Sequence, residues 1–178
     1  MPTELGFFAT ISQYDKELSM SLLSSDFDMI VKTPSCMVQV KCFADTQVLC
    51  DETDEVTIIF YGHICGDVIL SCIVDAYKAQ GITFVKSLDG SFAFLLVDKL
   101  HDRVVVATDR LCSRKVHIRK KDSLVVVSTV LKYLFTEDLA IDPIGLAWYL
   151  SSGVFHNNRT IFKDISVLDR ASLSLIHI

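Results

Sequence analysis

Short runs of branched and aromatic residues, joined by brief polar links, constrain the fold of this sequence most strongly. Such side chains favour extended strands, and links of about four residues favour antiparallel neighbours. The segments 99–102 and 120–123 are links of this kind. Four predicted strands precede residue 62, and the whole order predicts mostly antiparallel sheets. The predicted strands are Leu5–Ile11, Cys36–Phe43, Val48–Cys50, Val56–Tyr61, Ser91–Asp98, Arg103–Asp109, Lys115–Arg119 and Leu124–Ser128.

Three other segments carry helical signals. Apolar residues recur at helical spacing from Asp67 to Gln80, and Gly81 follows as a stop signal. A short helix is predicted over Val130–Phe135, and a better one runs from its N-cap Asp142 to Leu150. Strands and helices together predict an α+β domain.

The hydrophobic fraction bounds the size of the core. Hydrophobic residues make up 51% of the chain and the mean hydropathy is +0.41. A chain of this length can bury about 70% of its unfolded surface, so residues 1–178 are predicted to form one domain. No apolar run reaches the ~18 residues of a membrane span. Two interpretations of the apolar excess stay open: a strand-rich core, which is favoured, or an apolar face that docks on another domain or subunit.

The charge balance argues against a general nucleic-acid binder, because the formal net charge is −5 and the pI is near 5.4. One basic stretch, Arg110 to Lys121, runs against this average and could hold a phosphate or an acidic peptide. The alternation of Val116 and Ile118 with charged neighbours favours a solvated hairpin edge instead.

The six cysteines show no paired spacing. The absence of a CxxC pair argues against zinc and against a redox dithiol, and we interpret the cysteines as buried free thiols. The start of the sequence, residues 1–4, lacks the basic and apolar regions of a secretory signal. The chain is therefore expected in the cytoplasm, with no bound metal.

Two motifs on neighbouring predicted strands carry a family resemblance. The first is Leu88-Asp89-Gly90-Ser91-Phe92-Ala93-Phe94, and the second is Ala107-Thr108-Asp109-Arg110. Both resemble class II glutamine amidotransferase domains of the asparagine synthetase type, and the similarity runs from about residue 5 to the end of the chain. The resemblance implies an N-terminal-nucleophile fold, a four-layer αββα sandwich of mostly antiparallel sheets. It supports fold more strongly than activity, since none of these motif residues performs chemistry.

The nucleophile of such domains is an N-terminal cysteine, whose own α-amine acts as general base. Residues 5–11 resemble the opening strand of the family, with Gly6 in the place of the glycine that follows the nucleophile. Leu5 therefore occupies the cysteine position, and four residues precede it, so no free α-amine is expected there. The resemblance thus implies that the catalytic nucleophile and its base are both lacking.

The oxyanion hole of the family comes from an asparagine side chain and the next glycine amide. Here Tyr61 and Gly62 occupy these vestigial positions, and His63 replaces the acidic residue that follows. His63 and Asp67 are candidate remnants of the substrate site. A lone histidine at a strand end is more often structural, and Asp67 is also an ordinary helix-start residue.

Three functions fit this pattern. The leading hypothesis is a catalytically inactive glutaminase-like domain that supports an ATP-dependent synthetase partner, as in relatives resembling β-lactam synthetases and lasso-peptide cyclases. Those enzymes close amides with an amine of their own substrate and need no ammonia. The alternatives are an active amidotransferase subunit supplying ammonia for asparagine-type synthesis, and a stand-alone ligand-binding module. The serine-glycine-glycine loop of the ATP-pyrophosphatase domain has no counterpart here, so ATP and Mg²⁺ are expected only in the partner. A homodimer is also left open.

Overall fold

The strand-forming runs assemble into two antiparallel sheets. The structure, a computed structural model, describes residues 4–13, 27–50, 54–66, 72–170 and 173–176. Within these ranges the strands are β1 (Phe7–Gln13), β2 (Met29–Lys32), β3 (Cys36–Cys42), β4 (Thr46–Cys50), β5 (Val56–Ile64), β6 (Gly90–Asp98), β7 (Arg103–Thr108), β8 (His117–Lys121), β9 (Leu124–Ser128), β10 (Ile165–Val167) and β11 (Leu173–Ile176).

Strand order separates the two sheets clearly. Sheet A has the order β10-β8-β9-β1-β3-β2, and sheet B has the order β11-β7-β6-β5-β4. Every strand pair in both sheets is antiparallel, including the hairpins β6–β7 and β8–β9 across the short links. The predicted class, α+β with mostly antiparallel sheets, is confirmed.

The described residues contain two α-helices and two 3-10 helices. They are α1 (Cys72–Gln80), α2 (Pro143–Ser152) and the 3-10 helices Gly81–Ser87 and Leu131–Leu134. The predicted first turn of the helix from Asp67 lies outside the described residues, whereas the N-cap Asp142 is confirmed because its side chain accepts a hydrogen bond from the Ile144 amide. No helix in the described part of the chain is long and apolar enough to cross a membrane.

The two sheets pack face to face over a shared apolar core. Sheet A contributes Phe7, Ile11 and Val127, and sheet B contributes Ile59 and Leu95, all of them fully buried. Successive strand residues point to opposite faces, so the intervening residues face outward from the sheet pair. Each of these side chains stabilises the fold by about 2 kcal/mol through removal of apolar surface from water.

Helical cover lies on both outer faces. On sheet B, α1 and the 3-10 helix Gly81–Ser87 pack through Tyr77 and Phe84 against Phe92 and Phe94. On sheet A, the 3-10 helix Leu131–Leu134 packs against Phe8. The predicted order of helical layer, two sheets and helical layer is thereby confirmed.

Several sequence predictions were incomplete or wrong. Strands β2 and β10 and the 3-10 helix Gly81–Ser87 were not predicted, and among the described residues five strands rather than four begin before residue 62. The basic stretch is not wholly a solvated edge, because the Arg119 side chain is only 4% exposed and pairs with Asp138 at 3.1 Å. Nor are all the thiols buried: all six cysteines are free, but Cys50, Cys65 and Cys72 are exposed.

A buried carboxylate anchors α1 to the end of β6. Asp98 is 1% exposed and accepts hydrogen bonds from the Tyr77 hydroxyl at 2.5 Å and from the His101 amide at 2.9 Å. Burial alone would raise the pKa of Asp98, but these donors outweigh burial and hold its pKa below the ordinary value. The ionised form of Asp98 therefore stabilises the folded chain.

We expect Tyr77→Phe to lower the free energy of unfolding by about 2 kcal/mol at pH 7, because a buried carboxylate loses a donor. Since the folded pKa of Asp98 is depressed, its stabilisation is present above its unfolded pKa of about 3.9 and is lost as pH falls through the folded value. The difference between the two proteins should therefore shrink below about pH 4. Urea denaturation of both proteins at a series of pH values measures this difference in the free energy of unfolding. The matched control is Tyr149→Phe, which removes the hydroxyl of an exposed tyrosine, and equal losses for both variants would contradict the prediction.

Candidate functional site

The segment before β1 lies against the link between β3 and β4. The Gly6 amide donates to the Ala44 carbonyl at 3.1 Å, and the Phe43 amide donates to the Gly6 carbonyl at 2.7 Å. Thr46, the first residue of β4, donates its hydroxyl to the same Gly6 carbonyl at 2.5 Å. Leu5 is bridged to Ala44, and its side chain is 42% exposed. The position predicted for the nucleophile is thus fixed beside the edge of sheet B.

A glycine is required at position 6 for two reasons. Its φ is +95°, a backbone conformation that residues other than glycine rarely adopt. A Cβ at this position would also lie 2.2 Å from Oγ1 of Thr129. That oxygen accepts the Phe7 amide at 3.0 Å and donates to the Leu5 carbonyl at 3.1 Å. Thr129 therefore holds the residues on both sides of Gly6.

Tyr61 stands next to this segment. In the pairing of β4 with β5 it lies directly opposite Thr46, the residue whose hydroxyl donates to the Gly6 carbonyl. Tyr61 is 6% exposed and belongs to the core between the sheets. Thr46 therefore connects the strand that carries Tyr61 to the segment that begins at Leu5.

Arg114 occupies the space over the Tyr61 ring. Its Cζ lies 4.8 Å from the ring centroid, and its Nη1 donates to the Tyr61 hydroxyl oxygen at 3.0 Å. This arrangement combines a cation–π contact with a hydrogen bond. The Arg114 Nε is buried and has no hydrogen-bond partner among the described residues. Sequence analysis placed Arg114 in the basic stretch with a solvated edge and did not connect it to Tyr61, which lies 53 positions away.

The loop that carries Arg114 is ordered by Asp109. This carboxylate is 4% exposed and accepts the amides of Phe92 at 3.2 Å, Leu111 at 2.9 Å and Ser113 at 3.1 Å. Burial alone would raise the pKa of Asp109, but the amide donors outweigh burial and keep its pKa below the ordinary value. The Asp109 carboxylate therefore binds backbone amides of the loop and of β6. Its hydrogen bonds go to these amides and not to the neighbouring Arg110.

The remaining predicted site residues differ in their placement. Gly62 pairs with Phe92 on β6, has φ +116°, and leaves no room for a Cβ, which would lie 2.1 Å from the Ser91 carbonyl oxygen. His63 pairs with Ser91 and its side chain is exposed. Asp67 lies outside the described residues. Gly62 is thus held next to Tyr61 by close strand packing, and His63 points toward solvent near the strand end.

The chemistry available at this place is limited by its side chains. Leu5 has no lone pair with which to attack a carboxamide. The thiol of Cys42 is on β3, where burial raises its pKa and disfavours the reactive thiolate. Burial raises the pKa of the Cys112 thiol in the same way.

A cavity of about 970 Å³ is lined in part by the loop that Asp109 orders. Leu111 and Lys115 of that loop line it, together with Tyr149, Phe155 and Arg159 from α2 and the segment that follows. Sequence analysis did not predict this cavity, because its wall combines segments that are distant in the chain.

A family model described as a glutamine amidotransferase domain matches residues 67–177. The match covers more than half of the chain, and the chain therefore belongs to this family of domains. It includes the two motifs on β6 and β7 and the loop that carries Arg114.

Among solved structures, the chain is similar to one described as the allosteric regulatory enzyme of purine biosynthesis. The identity is 11% and the TM-score is 0.47; the alignment covers 97% of this chain. This chain spans only 41% of the length of that one. No curated protein matches the sequence.

We expect Gly6→Ala to lower the free energy of unfolding by about 3 kcal/mol, because the new Cβ adds a clash with Thr129 to an unfavourable φ. The matched control is Gly66→Ala: its φ is +87°, but no atom lies within 4 Å of the new Cβ. The control should lose only about 1 kcal/mol through its backbone conformation. Chemical denaturation compares the two, and equal losses would rule out the crowding at Thr129.

We expect Asp109→Asn to lower the free energy of unfolding by about 2 kcal/mol, since its amide group cannot accept all the backbone donors that the carboxylate accepts. Hydrogen exchange at the Leu111 and Ser113 amides should also become faster. Asp122→Asn, an exposed turn substitution, serves as the control and should change neither quantity. Unaltered exchange at Leu111 and Ser113 in Asp109→Asn would show that the carboxylate does not order the loop.

Proposed function

We propose that this chain is a catalytically inactive glutamine amidotransferase domain of an asparagine-synthetase-like system. Its role is to support an ATP-dependent partner that forms an amide, lactam or macrolactam. The partner is a synthetase subunit or a synthetase domain of the same protein. In such a system the amine comes from the substrate, so the amidotransferase domain supplies no ammonia.

The observation that carries the proposal is the leucine at position 5. Glutamine hydrolysis in this class begins with attack of a thiolate on the carboxamide carbon, and a leucine side chain offers neither a nucleophile nor an acid–base group. The proposal is supported by the contact of Thr46 with both the Gly6 carbonyl and, across the sheet, Tyr61.

The position of the oxyanion donor supports the same conclusion. A carboxamide there would donate an N–H to the charge that develops on the tetrahedral intermediate. Tyr61 instead has its hydroxyl oxygen engaged by Arg114 at 3.0 Å, and its ring is covered by the guanidinium. Loss of one such donor typically lowers kcat by about two to three orders of magnitude.

We place ATP and Mg²⁺ in the proposed partner, because in the family that the sequence resembles they act in the ATP-pyrophosphatase domain. Three exposed free thiols, at Cys50, Cys65 and Cys72, favour a reducing compartment, which we propose to be the cytoplasm.

The direct test is incubation of the purified chain with glutamine and measurement of glutamate. We expect no glutamate above the protein-free blank, for the chain itself and for Leu5→Ala. Product formation by the synthetase partner should likewise be independent of added glutamine.

Glutamate release by the chain would overturn the proposal and favour an active amidotransferase subunit. The variants Cys42→Ser and Cys65→Ser would then identify the thiol responsible. If release persisted in both variants, a hydroxyl nucleophile would have to be mapped.

A further inference from the structure

Tyr61 contacts the guanidinium of Arg114 in two ways. The Arg114 Cζ lies 4.8 Å from the centroid of the Tyr61 ring, and Nη1 donates to the hydroxyl oxygen of the same tyrosine at 3.0 Å. The salt bridges among the described residues join other cations to carboxylates and do not include Arg114. The position of this charge is therefore set by an aromatic side chain rather than by a described acidic group.

The surroundings of Tyr61 strengthen such a contact. Tyr61 is 6% exposed and belongs to the core between the sheets. The face of an aromatic ring attracts a cation, and the attraction grows when water is excluded. A guanidinium suits this place better than an ammonium, because it is planar, stacks on a ring and presents N–H groups in fixed directions. The ring and hydroxyl of Tyr61 thus have the chemistry of a site for a planar cation.

The contact persists although one donor of Arg114 is unsatisfied. Its Nε is buried and has no hydrogen-bond partner among the described residues. A buried donor without a partner destabilises the folded chain. The attraction between the guanidinium and Tyr61 has to offset this cost, so the ring contributes to holding the cation in place.

The backbone at Arg114 is fixed by other groups. The Ser113 amide donates to Asp109 at 3.1 Å, and the Arg114 carbonyl oxygen accepts the Thr108 hydroxyl at 3.0 Å. Neither bond involves an atom of the Arg114 side chain. Truncation of this side chain is therefore expected to leave an open space over the Tyr61 ring within an unchanged loop.

We infer that the face of Tyr61 is a binding site for a planar cation, and that Arg114 occupies this site from within the chain. By resemblance, Tyr61 stands at the position of the oxyanion donor, a group that faces the substrate in an active domain. Occupation by Arg114 closes that position to an external ligand. The closure rests on the proposed function, whereas the cation site does not.

Chemical rescue tests the site directly. Ethylguanidinium contains the same non-hydrogen atoms that Arg114→Ala removes. We expect Arg114→Ala to lower the melting temperature, and ethylguanidinium at millimolar concentration to raise it again. The rise should saturate and should reach about 3 to 5 °C at about ten times the dissociation constant. Ethylammonium has the same charge without the planar group and should bind at least about tenfold more weakly.

Matched variants locate the rescue. Arg110 lies in the same loop, is exposed, and donates to the Lys86 carbonyl instead of to Tyr61. Ethylguanidinium should therefore leave the melting temperature of Arg110→Ala unchanged, and also that of the intact chain, where Arg114 fills the site. Tyr61→Phe combined with Arg114→Ala keeps the ring but removes the acceptor, so ethylguanidinium should bind about fivefold more weakly.

A second variant serves if Arg114→Ala does not fold. Arg114→Lys keeps the charge and most of the aliphatic stem but loses the planar group. It should lower the melting temperature by about 3 °C, whereas Arg110→Lys should leave it unchanged. Closure is tested by adding glutamine to the intact chain, which should not change the melting temperature.

Four outcomes would overturn the cation site: no rescue of folded Arg114→Ala, equal rescue by ethylammonium, equal rescue of Arg110→Ala, and an unchanged melting temperature in Arg114→Lys. Stabilisation of the intact chain by glutamine would overturn the closure. The glutamate assay fails separately. Glutamate release with normal rescue would remove the inactive-enzyme proposal and the closure but not the cation site, whereas the absence of both would remove the cation site and leave the inactive-enzyme proposal.

Discussion

The face-to-face packing of sheets A and B is the constraint on which the rest of the structure depends. It fixes the start of β1 in one sheet against β4 of the other, through the bond from Thr46 to the Gly6 carbonyl. Across sheet B the same threonine lies opposite Tyr61, which is a residue of the shared core. The position of the segment before β1 relative to sheet B is therefore a consequence of how the two sheets pack.

Much of the fold could be predicted from the sequence because its strands carry clear local signals. The buried runs of β5 and β6 are long and rich in branched and aromatic residues, and the link between β6 and β7 is too short for anything except an antiparallel turn. The missed strands β2 and β10 are short, with four and three residues, and lie at the two edges of sheet A. Their extended conformation is fixed by pairing with the neighbouring strands, because three or four residues are too few to show a strand periodicity in the sequence.

The site was predicted only where the family motifs reach. The roles given to Leu5, Tyr61 and Gly62 come from the resemblance and stay predictions, while the structure adds that Thr46 contacts the Gly6 carbonyl and lies opposite Tyr61. Arg114 could not be predicted, because alternation along the chain says where a side chain points but not which distant ring it will cover. The same limit applies to Arg119, whose burial depends on acceptors from the segment 134–138 rather than on its own strand neighbours.

The loop from Asp109 to Lys115 borders two places at once. Its Arg114 covers the ring of Tyr61, while its Leu111 and Lys115 form a wall of the cavity next to α2. Asp109 ties the loop to the backbone of β6, so the loop has little freedom to adjust one contact without the other. A substitution that rearranges this one loop would therefore change both the cover of Tyr61 and the wall of the cavity.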